Sequence, residues 1–184
     1  MTQGEPDFTG EEAGVATEPT PEETQRALED ALVGAPSLAK HGFMVSVTKQ
    51  SEVLIQPKNG KQYVIQVIED DPDLAQLQID IFMTHGYEVR WATTKAEINA
   101  ALRRCNEVDV LLLDRELPDA NGLMILQAIR AHPQFGALPV IMVTGLSGPA
   151  EVAEGLVAGA DGYVSKPFKM SGLLQAVKLV LGTT

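Results

Sequence analysis

The spacing of apolar positions divides the chain into three regimes. In residues 1–19, rich in Gly, Glu, Thr and Pro, there is almost nothing to bury, and a disordered tail is expected. Residues 20–62 are mixed. Thr20-Pro21-Glu22-Glu23 reads as a capped helix start, with Ala27, Leu28, Ala31 and Leu32 on one face and Gly34 closing it. Phe43, Val45 and Val47 then alternate with polar or solvent-facing positions, and Val53 and Ile55 follow. These read as two short strands forming a hairpin, with Asn59-Gly60 as a turn before the next run.

From residue 63 onward the pattern is regular. Short apolar runs at 64–68, 87–92, 108–113, 139–143 and 162–165 are separated by stretches in which apolar residues recur every three or four positions. Those stretches carry helix punctuation. Asp71 and Pro72 open a helix that Gly86 closes. Thr94-x-x-Glu97 caps a second, ending near Arg104. Segments 122–131, 149–157 and 171–181 supply three more, the fourth stopped by Gly159.

Five strands alternating with five helices, linked by short connections, define an α/β domain with a doubly wound parallel sheet and helices on both faces. The central runs are apolar on both faces, as a buried parallel sheet requires. The division expected is a tail (1–19), an extension (20–62) and one domain (63–184). In such sheets ligands bind beyond the carboxyl ends of the strands, where the strand order reverses.

Charge narrows the options. The net charge is −11, and residues 1–30 hold nine acids against one base, Arg26. A chain this acidic, with no Lys/Arg cluster beyond the Arg103–Arg104 pair, is not expected to bind nucleic acid by its own field. Cys105 is the single cysteine, so no internal disulfide can form. The first residues lack the basic and apolar regions of a signal peptide, and no apolar run is long enough to span a bilayer. A cytoplasmic location without membrane contact is the expectation.

The chemistry collects at strand ends. The first strand ends in Glu69-Asp70-Asp71, the third in Asp114, the fourth in Thr144, and the fifth runs into Lys166-Pro167. Singly, each has a bland reading: Asp71 as a helix cap, Thr144 as a turn hydroxyl, Lys166 as solvated surface. Together they deliver acids, a hydroxyl and an ammonium to one edge. Converging carboxylates repel unless a cation joins them, and hard oxygen donors suit Mg2+ (or Mn2+). Lys166 adds a point charge for phosphate, the Thr144 hydroxyl a hydrogen-bond donor, and Gly145 leaves access. The set is suited to placing a phosphoryl group on a carboxylate.

Four motifs in order give a resemblance: Val67-Ile68-Glu69-Asp70-Asp71, the run from Asp114-Arg115-Glu116 to Gly122, Val143-Thr144-Gly145, and the run from Gly159 through Lys166-Pro167 to Phe168. With spacings of 44, 30 and 22 residues between Asp70, Asp114, Thr144 and Lys166, residues 63–184 resemble the receiver domains of bacterial response regulators. The resemblance implies a flavodoxin-like sheet in the order 2-1-3-4-5. It implies Asp114 as phosphoacceptor, Asp70 as direct metal ligand, Glu69 acting mainly through metal-bound water, and Glu116 offering its backbone carbonyl. It further implies Thr144, Gly145 and Lys166 at the phosphoryl group, and a cis peptide at Lys166–Pro167. Tyr163 is implied as the switch aromatic that moves inward when Thr144 is drawn to phosphate.

The implied partners are a sensor histidine kinase or histidine phosphotransfer protein and a downstream protein that the sequence does not identify. By family analogy a homodimer would use the face of the fourth and fifth helices. No output domain is expected, because the last helix ends about three residues before the final residue. With the family's sheet order the strand at 64–68 is central, so 43–55 must pair with itself or dock on the outside. Beyond slow autodephosphorylation no enzymatic activity is expected. The competing readings are a Mg2+-dependent phosphohydrolase with Asp114 as nucleophile and Glu116 as general acid, and a structural adaptor with a vestigial site.

Overall fold

The computed structural model describes residues 7–9, 20–22, 25, 29, 45–47, 54–146 and 148–183. Its strands are β1 (Val45–Val47), β2 (Val64–Ile68), β3 (Glu88–Ala92), β4 (Val110–Leu113), β5 (Glu116–Leu117), β6 (Ala120–Asn121), β7 (Val140–Thr144) and β8 (Gly162–Ser165). The helices are α1 (Pro72–Thr84), α2 (Lys95–Leu102), α3 (Gly122–Ala131), α4 (Pro149–Val157) and α5 (Met170–Leu181), with a 3-10 turn at Cys105–Glu107. The main sheet runs β1-β8-β7-β4-β2-β3. The five strands β2, β3, β4, β7 and β8 pair in parallel, in the order expected from the sequence.

Strand periodicity builds the two layers. Along β2, β4 and β7 successive side chains enter opposite cores. Val64, Ile68, Leu111, Leu113, Val140 and Met142 face α2, α3 and α4, meeting Ile98, Leu102, Ile125, Ile129 and Val152. Ile65, Val67, Val110, Leu112, Ile141 and Val143 face α1 and α5, meeting Phe82, Leu173, Val177 and Leu181. Local caps fix where helices begin. Asp71 Oδ1 accepts from the amides of Asp73 (2.9 Å) and Leu74 (3.1 Å), and Thr94 and Glu97 close a reciprocal capping box.

The chain leaves β2 for β3 on one side, then crosses back to β4 on the other. The crevice at the carboxyl ends of β2 and β4 is therefore the topological switch point. The small hairpin of β5 and β6, which follows Asp114, has no counterpart in the sequence reading. Its two-residue strands are too short to leave a periodic signal.

Three findings concern the N-terminal third. First, Val45–Val47 forms a strand of the main sheet. It adds antiparallel to β8, with Ser46 opposite Tyr163. An uncovered edge strand presents unpaired amides and carbonyls, and β1 satisfies them. Of the expected second strand around Val53 and Ile55, Val53 lies outside the described residues, and Leu54 and Ile55 are described but not in a strand. Second, the segment from 54 to 63 is fastened to the domain. The Ile55 amide donates to Leu181 O (3.1 Å), Tyr63 Oη donates to Ile55 O (2.6 Å), and Asp109 accepts from the amides of Lys58 and Val64. Third, Asp7–Thr9 departs from the disorder expected of 1–19: Phe8 is buried at 3% exposure. The physical reason is that one aromatic anchor suffices to fix three residues, although the average composition around it favours disorder. Pro21, Glu22, Gln25 and Glu29 are helical; the apolar face expected at Ala27, Leu28, Ala31 and Leu32 lies outside the described residues.

Among the described residues no helix is long and apolar enough to cross a membrane.

Candidate functional site

The site is built from strand ends, and backbone packing sets its floor. Asp114 directly follows β4, and its amide donates to Ile68 O (2.9 Å), which ties it to the end of β2. α3 starts against it. A Cβ on Gly122 would stand 2.0 Å from Asp114 O, so only glycine lets the helix begin this close.

The side chains then converge. Lys166 Nζ lies 2.5 Å from Asp114 Oδ2 and 2.8 Å from Glu69 Oε1. Ligand oxygens of Glu69, Asp70 and Asp114 all lie within 4.8 Å of one another. Glu69 (1% exposed) and Asp114 (4%) are buried, while Asp70 is exposed and leaves one side open to water. The Glu116 amide donates to Asp114 Oδ1 (3.0 Å). Trp91 Nε1 donates to Glu69 O (2.8 Å) and pins the β2 end from outside.

Two buried carboxyl groups share one ammonium here, with the Asp70 carboxyl group beside them. Burial pushes the Glu69 carboxyl above its ordinary range, Lys166 pulls it down, and the nearby Asp114 raises it again. Burial works against the Lys166 ammonium, but its hydrogen bonds to Asp114 and Glu69 outweigh that and hold it above the usual lysine value. The pocket is thus short of positive charge. Its donors are all hard oxygens, one of them exposed, which is the composition a small divalent cation fits.

Thr144 ends β7 fully buried, its Oγ1 accepting from the Leu146 amide (3.2 Å). Gly145 is exposed at the mouth, where a Cβ would meet the Glu116 carboxylate at 3.5 Å. The Lys166–Pro167 peptide is cis. Tyr163 on β8 is fully buried, and its Oη donates to Leu146 O at 2.5 Å. Burial pushes its phenol up to about 12. The ring packs on α4 at Gly155, where a Cβ would come within 2.9 Å of it. Tyr163 thus already occupies an inward position while Asp114 is paired with Lys166.

Two residues near the site escaped the sequence reading. Arg115 donates to Glu151 O (3.3 Å) and forms an ion pair with Glu154, joining the segment after Asp114 to α4. Trp91 is the other. Neither has a local signal, because both partners come from distant segments. Asp71 serves α1 as its cap, and its amide donates to Glu69 Oε1 (3.3 Å).

A five-stranded doubly wound sheet with an acid cluster at its switch point defines the flavodoxin-like class in its receiver form. The family described as "Response regulator receiver domain" matches residues 65–178. Chemotaxis protein CheY1 of Helicobacter pylori is 33% identical over 118 residues, covering 64% of this chain and 95% of that protein. Transcriptional regulatory protein GltR of Pseudomonas aeruginosa is 33% identical over 123 residues, covering 67% of this chain and 50% of GltR. The non-phosphorylated HemR receiver domain from Leptospira biflexa superposes with a TM-score of 0.60 at 30% identity, over 67% of this chain and 97% of that one. The chain therefore belongs to the response regulator receiver family of two-component signal transduction. It spans about half the length of regulators such as GltR and nearly all of CheY1. Receiver domains act as phosphoacceptor switches that interact with histidine kinases or phosphotransfer proteins.

Proposed function

We propose that this receiver accepts a phosphoryl group on Asp114 from a histidine kinase or phosphotransfer protein and signals through protein contacts. The observation that carries the reading is the Lys166 ammonium between Asp114 and Glu69, with Asp70 beside them. In transfer, an Asp114 carboxylate oxygen attacks phosphorus in line as the bond to the donor imidazole breaks. Such transfers are accelerated mainly by positioning and charge neutralisation. Lys166 follows the charge from the carboxylate to the phosphoryl oxygens. The Thr144 hydroxyl turns from the Leu146 amide to donate to one of them. Mg2+, held by Asp70, Asp114 and the Glu116 backbone carbonyl and by Glu69 through water, would supply further neutralisation. Gly145 keeps the mouth open to the donor side chain.

The switch would run through Leu146. Its amide contacts Thr144 and its carbonyl holds Tyr163, so a Thr144 drawn to phosphate acts on the Tyr163 anchor and on α4. Radiolabelled acetyl phosphate with Mg2+ is the direct test. Label should appear on the intact chain and vanish in Asp114→Asn. Sustained turnover of p-nitrophenyl phosphate would instead favour the phosphohydrolase reading, and labelling that persists in Asp114→Asn would remove Asp114 from its role.

A further inference from the structure

The acidic tail is held at one point by a constellation that the receiver reading does not use. Phe8 inserts beside His132 and Phe135, with ring centroids 5.9 Å and 6.5 Å away. His132 and Phe135 themselves stack at 4.1 Å and 9°. Above them stands Asn99 of α2, only 9% exposed. Its Oδ1 accepts from the Phe8 amide (2.9 Å), and its Nδ2 donates to Asp7 Oδ1 (2.9 Å) and to Thr9 Oγ1 (3.0 Å). Asp7 Oδ1 also accepts from the amide (2.9 Å) and hydroxyl (2.7 Å) of Thr9, and Asp7 Oδ2 faces Lys95 at 3.6 Å.

We propose that the groove between α2 and the end of α3 is a peptide-docking site whose occupant is the Asp7-Phe8-Thr9 turn of the same chain, which acts there as a tethered ligand.

The groove has the parts of a recognition site. An aromatic anchor enters a pocket, a side-chain amide reads the backbone and both flanking residues, and a lysine complements the acid. The pocket wall is braced by contacts that do not involve Asp7–Thr9. Arg130 holds it by donating to Gly136 O (3.1 Å), Leu138 O (2.8 Å) and Gly159 O (2.7 Å), and by pairing with Asp161. A rigid wall lowers the ordering cost of docking. Asn99 is a poor helix former at a buried position of an amphipathic helix. The tail is what satisfies its amide, since an unpartnered buried amide is costly. The occupant is the chain's own tail because those contacts are made within one molecule. Being part of the same chain also gives the turn a higher effective concentration than a free competitor has.

Hydrogen exchange on the full chain tests this without mutation. The Phe8 amide should exchange at least about tenfold more slowly than in a free peptide of residues 1–14. The same protection must hold on dilution; protection that falls with protein concentration would mean docking on a second copy and would overturn the cis assignment. A fluorescent peptide of residues 1–14 should then bind saturably to full-length Phe8→Ala protein, at least about tenfold more weakly to wild type, whose groove is filled, and not to Phe8→Ala/Asn99→Leu. A Phe8 amide exchanging at the free-peptide rate overturns the proposal, and so does equal binding to wild type and Phe8→Ala. Circular dichroism and acetyl phosphate labelling report separately on the fold and on Asp114.

Discussion

The two ends of the sheet both bury aspartates, and they use them in opposite ways. At the amino-terminal edge Asp109 precedes β4 and Asp161 precedes β8. Asp109 accepts from the amides of Lys58 (2.9 Å) and Val64 (2.8 Å). Asp161 accepts from the Val140 amide (2.8 Å) and from Arg130 (2.7 Å). Their oxygens are consumed by backbone and guanidinium donors, so they act as staples. At the carboxyl-terminal edge Asp114 receives one backbone amide and shares a single lysine with Glu69. The same residue type is saturated where donors abound and keeps acceptor capacity where they are scarce. A carboxylate already saturated with hydrogen bonds has little to offer a phosphorus atom or a cation.

Exchanging roles between the edges gives the largest effect. Asp114→Asn should abolish phosphoryl labelling while changing unfolding free energy by no more than about 1 kcal/mol, measured in urea. Asp161→Ala should do the reverse. It strands the half-buried Arg130 and the Val140 amide and should cost about 3 kcal/mol or more, with labelling retained in whatever fraction stays folded. A large stability loss in Asp114→Asn would erase the distinction.

Proton linkage sharpens the contrast next. The Glu69 carboxyl is raised by burial, so the folded state favours its protonated form. That contribution to stability is complete below the ordinary carboxylate range and is lost as pH rises through the raised value. In EDTA, stability from pH 4 to 7 should therefore decline relative to Glu69→Gln, and millimolar Mg2+ should cancel the difference. A pH profile for Glu69→Gln that matches wild type in EDTA would show that the carboxylate edge is not short of cations.

A smaller effect concerns the tail. Thr9, then Asn99, hold the Asp7 carboxyl well below the usual aspartate range, Lys95 adding to them. The stabilisation of docking is present above the ordinary aspartate value and is lost as pH falls toward the depressed one. Protection of the Phe8 amide should thus weaken below about pH 4. Facing Asp7 and Phe8 are Lys95, Asn99, Thr9 and His132. His132→Phe should leave the acid release in place; its disappearance would assign the release to the imidazole. Smallest of all, Arg115→Gln removes an ion pair with the half-exposed Glu154 and should cost less than about 1 kcal/mol in urea unfolding.

How much of this was legible follows from the range of each interaction. The alternation of apolar runs with capped amphipathic segments placed β2, β3, β4, β7 and β8 and all five helices to within a residue or two. Asp114 and Lys166 stood out because strand ends are recognisable and the sheet class says where chemistry gathers. Phe8 did not stand out: it is one apolar residue in an acidic stretch, and its partner Asn99 lies 91 residues away on a helix face that reads as polar. β1 was legible as a strand by its alternation, but its pairing with β8 was not, since an edge accepts any strand of compatible register.

The sequence by itself determined the order of elements, the caps and the list of groups at the strand ends, because these depend on local periodicity and on a topology with few alternatives. Only the tertiary structure decided which aspartates are saturated and which are starved of donors, where β1 lies, and that Asp7-Phe8-Thr9 is held in the α2–α3 groove. Each of those depends on donors and surfaces contributed by segments far apart in the chain, and no local pattern encodes them.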